Sequence, residues 1–378
     1  MWGRKRQKPL QEHHYLTPDL WREVFARSPV KTLLQFRCVC KTWCSLIDSP
    51  DFISMHLKFY KNPRILAVEP IPKTFSDFKF IIRRSDSIRK IAQLDTNLES
   101  RMNFESVMVD GLMLIGRFTF HDSDSKELSL WNPSIRKTML LPHCPLKCIK
   151  FSNVGYYLGF APLSKDYKVV ALEAVELGDA EASELSIEIA IYSLSGRVWR
   201  VKPDWRNVTR WCFSLMRLRN GAVFSQGALY WRPYYGFPGK DTHLLSFDLD
   251  TEEFSFLKMP DFGEEMRKFL FLFGGSLAVF GISRVRACVW VIEKNHGKEP
   301  WCQFSSGDSN LDAYRFFDCC SMHNLHMLYV ENTGTLLIHD FNKLMSYDIT
   351  SHQVQQRKYF RCSYLDTYVE SLVLHKGC

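Results

Sequence analysis

Leu16-Thr17-Pro18-Asp19-Leu20, followed by Ser28-Pro29-Val30-Lys31-Thr32-Leu33-Leu34-Gln35-Phe36-Arg37-Cys38-Val39-Cys40-Lys41-Thr42-Trp43, is the stretch that decides how this chain is divided. Thr17 is suited to cap a helix beginning at Pro18, where the missing proline N–H costs nothing and Asp19 faces the positive end of the helix dipole. Leu20, Val24 and Phe25 then share one helical face, and Pro29 ends the phrase, because the residue before a proline is pushed out of the helical region. A second apolar series, Leu33, Phe36, Val39, Cys40, Trp43, Leu46 and Ile47, again steps by three and four, and Ser49-Pro50 punctuates its end. A module of about forty residues rarely buries a sufficient core, so this helical surface calls for a partner or a neighbouring domain.

These phrases resemble the F-box, the docking module of cullin-type ubiquitin ligases. In plant F-box proteins they read Leu-Pro-x-Asp-Leu, Leu-Pro-Val-Lys-Ser-Leu and Phe-Arg-Cys-Val-Cys-Lys-Ser-Trp. Here Thr17 stands for the usual proline, Pro18 comes one place late and Ser28 stands for a leucine. The resemblance implies that Leu16, Pro18, Leu20, Pro29, Val30, Leu33, Leu34, Phe36, Val39 and Trp43 contact a Skp-type adaptor, with Trp43 in the buried centre. Without the resemblance, residues 16–57 read as a helical cap on the domain that follows.

The rest of the 378 residues exceeds the usual size of one domain unless the architecture is a barrel or a repeat. Aromatic residues make up 14% of the chain and helical phrases are scarce after the first sixth, so many short strands are expected. A two-part phrase recurs at a spacing of about fifty residues, the signature of a propeller. Its first half is a glycine with apolar neighbours, as in Gly111-Leu112-Met113-Leu114, Gly159-Phe160, Gly227-Ala228-Leu229-Tyr230-Trp231, Gly275-Ser276-Leu277-Ala278-Val279 and Gly334-Thr335-Leu336-Leu337. Its second half is an aromatic-rich strand running into a polar turn, as in Leu130-Trp131-Asn132-Pro133, Ile191-Tyr192-Ser193-Leu194, Ser246-Phe247-Asp248-Leu249, Val289-Trp290-Val291-Ile292 and Ser346-Tyr347-Asp348-Ile349. In a turn such as Asp248-Leu249-Asp250-Thr251 the first side chain can satisfy local backbone donors. With a weaker unit around Arg64 to Leu98 and a terminal strand over Tyr368 to Leu374 completing it, the expectation is an all-β propeller of about six blades behind an all-α box.

Asn132-Pro133-Ser134-Ile135-Arg136-Lys137, Asp166-Tyr167-Lys168-Val169-Val170, Ser246-Phe247-Asp248-Leu249 and Glu370-Ser371-Leu372-Val373-Leu374 look like the plant F-box-associated interaction domain, a kelch-like propeller. The division that follows is a basic tail over 1–12, an F-box over 13–58 and the propeller over 59–376. What the family implies is a non-catalytic receptor for ubiquitin-dependent protein degradation, joined through a Skp-type adaptor to a cullin ligase and holding an unnamed target protein on the propeller. The alternative is a non-degradative F-box protein or a propeller scaffold. For the target contact, the loops with Trp205, Arg206 and Trp211 and with Arg232, Tyr234 and Tyr235 are the candidates, since recognition lies on blade loops.

Other chemistries find little support. The net charge of +8 is spread along the chain without the basic and aromatic interleaving of a nucleic-acid binder. The longest apolar run, Phe269 to Ile282, is too short to span a bilayer and contains Gly274-Gly275, so it reads as two strands and a turn. Cys38, Cys40 and Cys44, like Cys144 and Cys148, lack a second ligand pair at zinc-site spacing, and Cys319-Cys320 read as strand positions. No nucleophile elbow, phosphate loop or zincin helix occurs, so no catalytic residue, metal or cofactor is expected; a propeller hydrolase or sugar binder would need carboxylates or histidines gathered at the central channel. The scattered cysteines and the apolar-poor start lead to the expectation of reduced thiols in the cytosol or nucleus, with Arg4-Lys5-Arg6 read as a solvated tail or a nuclear signal. The segment Glu173 to Glu188, with six acidic residues and no basic one, reads as an exposed loop or a strand extension.

Overall fold

The computed structural model describes residues 17–59, 64–71, 77–94, 102–104, 107–118, 126–146, 154–177, 184–202, 222–231, 243–263, 266–293, 300–319, 325–340 and 342–374. The helices come first: α1 (Pro18–Ala26), α2 (Val30–Phe36), α3 (Lys41–Ile47) and α4 (Pro50–Phe59). Thr17 caps α1 as its type predicts, accepting the Leu20 N–H at 3.4 Å, with Pro18 in the first turn. The second apolar series is split: Cys40 is extended at φ −156°, its sulfur accepts the Trp43 N–H, and the chain restarts there as α3. Ser49-Pro50 ends α3 and also begins α4, because the Ser49 hydroxyl accepts the Phe52 N–H at 3.2 Å. This repeats the chemistry of Thr17-Pro18.

Six four-stranded antiparallel sheets follow. β1 (Arg64–Pro70), β2 (Phe78–Arg84) and β3 (Lys90–Leu94) are the outer strands of blade 1. Blade 2 is β4 (Met102–Phe104), β5 (Met113–Phe118), β6 (Lys126–Asn132) and β7 (Lys137–Leu140); blade 3 is β8 (Gly155–Ala161), β9 (Asp166–Leu177), β10 (Glu184–Ser193) and β11 (Val198–Lys202). Blade 4 is β12 (Ala222–Ser225), β13 (Ala228–Trp231), β14 (His243–Asp248) and β15 (Phe254–Lys258); blade 5 is β16 (Arg267–Phe273), β17 (Ser276–Ile282), β18 (Arg286–Ile292) and β19 (Trp301–Asp308). After helix α5 (Leu311–Cys319), blade 6 is β20 (Leu325–Val330), β21 (Thr335–Asp340), β22 (Lys343–Asp348) and β23 (Gln353–Tyr359). β24 (Tyr364–Tyr368) then pairs with β1 from Arg64↔Tyr368 to Val68↔Tyr364, so the last strand becomes the inner strand of the first blade and closes the ring. The inner strands lie side by side, β8 by β12, β12 by β16, β16 by β20 and β20 by β24.

The recurring phrase of the sequence is the middle hairpin of a blade, its second and third strands, as in β13 and β14. Gly159 is the exception. It lies within the inner strand β8, where an added Cβ would come within 2.4 Å of Leu249, so its glycine serves close packing between blades 3 and 4. Each blade boundary has its own apolar filling, for example Leu114, Leu130, Leu158 and Ala171 between blades 2 and 3, and Phe280, Val289, Leu336 and Tyr347 between blades 5 and 6. No blade could bury both of its faces alone.

Most outer hairpins share one turn. Asn132, Ser193, Asp248 and Asp348 each accept backbone N–H groups two or three residues on, and the residue four places later has positive φ: Arg136 at 53°, Arg197 at 54°, Glu252 at 57° and His352 at 57°. The described parts of the acidic segment, residues 173–177 and 184–188, are paired as extensions of β9 and β10, with Glu173 itself buried.

Two sequence expectations are corrected. The terminal strand is Tyr364–Tyr368, and the stretch from Val369 to Leu374 continues past it as an irregular strap. Cys319 closes α5 instead of lying in a strand; Asn310 caps that helix by accepting the Asp312 and Ala313 N–H groups, and Ala313, Phe316 and Phe317 form its buried face.

Candidate functional site

The four helices enclose a core of Phe25, Ala26, Val30, Leu33, Ile47 and Phe52. On its rim Trp21, Phe25, Phe36 and Trp43 form a ring cluster, with Trp43 4.9 Å from Trp21, 4.8 Å from Phe25 and 5.6 Å from Phe36 between centroids. Arg37 closes the α2–α3 link through a two-pronged pair to Asp48, at 2.7 and 3.0 Å. The hydrogen bond and the charge of buried Asp48 hold the Arg37 guanidinium above its ordinary pKa despite partial desolvation. Outside the ring cluster, Leu20 is 50% exposed, Val24 48% and Val39 63%. An apolar surface of this kind, on a module this small, is what a protein partner covers.

The module is joined to the propeller by the strap after β24. Leu372, fully buried, completes the helical core, while Val373 and Leu374 turn the other way into the filling of blades 2 and 3. Pro29 gives α2 no side-chain cap; instead the Val30 N–H donates to Glu370 Oε2 at 3.1 Å, and Glu370 Oε1 pairs with Arg64 at the start of β1. Asn132, fully buried, donates from Nδ2 to the carbonyls of Ser371 and Val373 at 3.0 and 2.8 Å, and the Ser371 N–H donates to Ser134 Oγ. Gly111, at φ +78°, lets the strap pass, since a Cβ there would sit 2.6 Å from Ser371 Cβ and from the Val369 carbonyl. His56 of α4 donates from Nε2 to the Ser28 carbonyl at 2.9 Å, and burial pushes its pKa below the ordinary value against the pull of that bond and of the Glu370 charge.

The F-box domain family matches residues 15–55, and the family of the F-box associated beta propeller domain matches residues 69–358. The chain belongs to the F-box associated β-propeller family. This F-box protein is 26% identical over 256 residues to an F-box/kelch-repeat protein of Arabidopsis thaliana, a match covering 65% of this chain and 66% of that one. It is 23% identical over 303 residues to a further F-box protein of the same plant, covering 76% of this chain and 71% of the relative. Neither domain family is an enzymatic one.

Of the adaptor contacts named from the sequence, the F-box exposes Pro18, Leu20, Pro29 and Val39, half-buries Leu34, Phe36 and Trp43, and places Val30 and Leu33 in its core with 1% and 0% exposure. Val30 and Leu33 are therefore core residues of the helical module and present no surface of their own. Leu16 lies outside the described residues, as do Trp205, Arg206, Trp211, Arg232, Tyr234, Tyr235 and the basic cluster Arg4-Lys5-Arg6. Val24, exposed one turn from Leu20, and Trp21, half-buried in the ring cluster, are not among the residues that the resemblance names, although the four-residue steps from Trp21 to Phe25 and from Leu20 to Val24 announce two adjoining stripes. Among the described residues no group of histidine, cysteine and carboxylate side chains could hold a metal, no cysteine is joined in a disulfide, and no helix is long and apolar enough to cross a membrane.

Proposed function

We propose that this chain is the substrate receptor of a Skp/cullin/F-box ubiquitin ligase, docking on a Skp-type adaptor through the F-box and holding a target protein on the propeller. The observation that carries the reading is the exposure of Leu20, Val24 and Val39 on the helices that carry the ring cluster, in a module whose core is already completed by Leu372. The F-box joins the ring on the face where Arg64, the first residue of β1, pairs with Tyr368, the last of β24. β11 and β13 run from the face at which the box is joined toward the other one, so the target is proposed to bind on the side where Lys202 and Trp231 end these strands. The contribution to rate is proximity: target and ubiquitin-loaded conjugating enzyme are held together at high effective concentration, with no covalent step on this chain. We place the protein in the cytosol or nucleus, the compartments that keep thiols reduced.

The test is binding of the purified chain to a Skp-type adaptor by calorimetry, beside a Leu20→Asp/Val39→Asp variant whose helical circular dichroism is unchanged. Loss of about two orders of magnitude in affinity in the variant is expected, since two apolar contacts of roughly 1–3 kcal/mol each are replaced by desolvated charges. A wild-type chain that does not bind refutes the reading. A wild type that binds the adaptor and fails to bring a cullin into the complex identifies the non-degradative alternative.

A further inference from the structure

We infer that Glu370 and Leu372, which lie in the last described stretch of the chain and outside the F-box, are positioning residues of the adaptor-docking face, so that the box is complete only in a molecule whose propeller has closed. The inference rests on the docking reading above for its consequence, and on the strap alone for its structure.

Three observations meet in the strap. Helix α2 carries the core residues Val30 and Leu33, and its first turn lacks a cap from its own segment; the acceptor for the Val30 N–H arrives from Glu370, 340 positions away. The core of the box has a place filled by Leu372, whose side chain is fully buried among residues of α1 to α4. The strap has no strand partner of its own beyond Tyr368, and its backbone is held by side chains of the β6–β7 turn, with Asn132 taking two carbonyls and Ser134 one N–H. That turn belongs to blade 2, while the preceding strand β24 is bound to blade 1. The strap therefore reaches the box in this geometry only after β24 has paired with β1 and blades 1 and 2 have come together.

The size of the module makes this contact decisive. About forty residues in four short helices hold little stability of their own, so removing a core side chain and a cap shifts the box toward states that do not present Leu20, Val24 and Val39 together. Adaptor affinity then falls by the fraction of molecules that remain competent. A chain released before its last strand, or one whose ring has opened, offers the adaptor an incomplete surface. By the reciprocity of linked equilibria, the bound adaptor in turn holds the strap in place.

The experiment uses the full chain. Hydrogen exchange of the α2 amides and affinity for a Skp-type adaptor are measured for wild type, Leu372→Ala, Leu372→Met, Glu370→Ala and Glu370→Gln. Leu372→Ala is expected to speed exchange in α2 and weaken adaptor binding by about tenfold or more, with Met, close in volume, restoring both. Glu370→Ala is expected to weaken binding about fivefold, the loss of one cap, and Gln, which keeps an acceptor for Val30 N–H, to recover most of it. Exchange in β16 to β18, on the far side of the ring, stays at the wild-type rate in all four, which separates a loosened box from a loosened propeller. Adaptor added to wild type should slow exchange of the Ser371 and Val373 amides, which no partner on the Leu20 face touches. Wild-type α2 exchange and wild-type adaptor affinity in both alanine variants overturn the inference. If the wild type does not bind the adaptor, the docking reading fails, and the α2 exchange rates still decide whether the strap completes the box.

Discussion

Asn132 shows why one member of a repeated turn cannot be exchanged for its equivalents. At the corresponding place blades 4 and 6 use Asp248 and Asp348, whose carboxylates accept N–H groups of their own turns near solvent. Asn132 accepts the Ser134 N–H in the same way, and its amide nitrogen also donates to two carbonyls of the strap. An aspartate there would keep the turn and set a buried charge against two carbonyl oxygens. Asn132→Ala should cost about 2–3 kcal/mol, since buried carbonyls lose their donor, and Asn132→Asp should cost at least as much despite its near-identical shape. Urea midpoints at neutral pH measure both; an aspartate variant as stable as wild type refutes this account of the position. The sequence discloses Asn132-Pro133-Ser134 as a turn, because turn chemistry is local. That its amide serves residues 239 and 241 positions later is a property of ring closure and leaves no local mark.

Elements with a strong period or a cap in sequence are where reading and structure agree, as for α1 behind Thr17-Pro18 and for the middle hairpins of the blades. Short inner strands such as Ala222–Ser225 carry too few residues to show a period. The strap misleads for a different reason: Glu370-Ser371-Leu372-Val373-Leu374 has the composition of a strand, and its backbone groups are bonded to side chains where a ladder would be. The adaptor contacts were named by resemblance alone, and which of those residues point outward was not legible, since that depends on how four helices and a strap pack. The tight turns are the elements where local strain can be tested. Lys165 sits exposed at φ 52°, and Ile88 sits buried at φ 55°. Glycine relieves the left-handed backbone at both, so Lys165→Gly should raise stability by about 0.5–1 kcal/mol. Ile88→Gly should lower it by about 2 kcal/mol or more, because the filling between blades 1 and 6 is lost with the side chain. A melting temperature that falls in Lys165→Gly, where no packing is lost, would show that strain does not govern these turns.

At the scale of the whole molecule, closure of the ring is a seam between β20 and β24, and the seam holds ionisable groups. His326 of β20 lies 5.6 Å from the Tyr364 ring of β24 and 6.3 Å from His339 of β21, between centroids. Burial and the neighbouring His339 push His326 from its ordinary value of 6.5 down to about 4. Across the seam Asp366 accepts the Met108 N–H and the Tyr364 hydroxyl, and its burial raises its pKa, while the Tyr364 hydroxyl is pushed far up. Above pH 6.5 His326 is neutral folded or unfolded and contributes nothing to the pH dependence. Below that, the unfolded chain takes up the proton and the folded one does not, so stability is lost as pH falls from 6.5 to about 4, by on the order of 3 kcal/mol at most. His56 and His352, also lowered by burial, act in the same sense. Asp366 acts in the opposite one, because a carboxyl raised in the folded state favours folding once it is protonated. Urea midpoints between pH 7.5 and 4.5 should therefore fall steadily toward acid, and His326→Gln should fall less steeply, so that the two curves, each taken relative to its neutral value, separate toward the acid end. Parallel curves would mean that His326 is as accessible to protons in the closed ring as in the unfolded chain, and that the seam takes no part in the acid sensitivity of the fold.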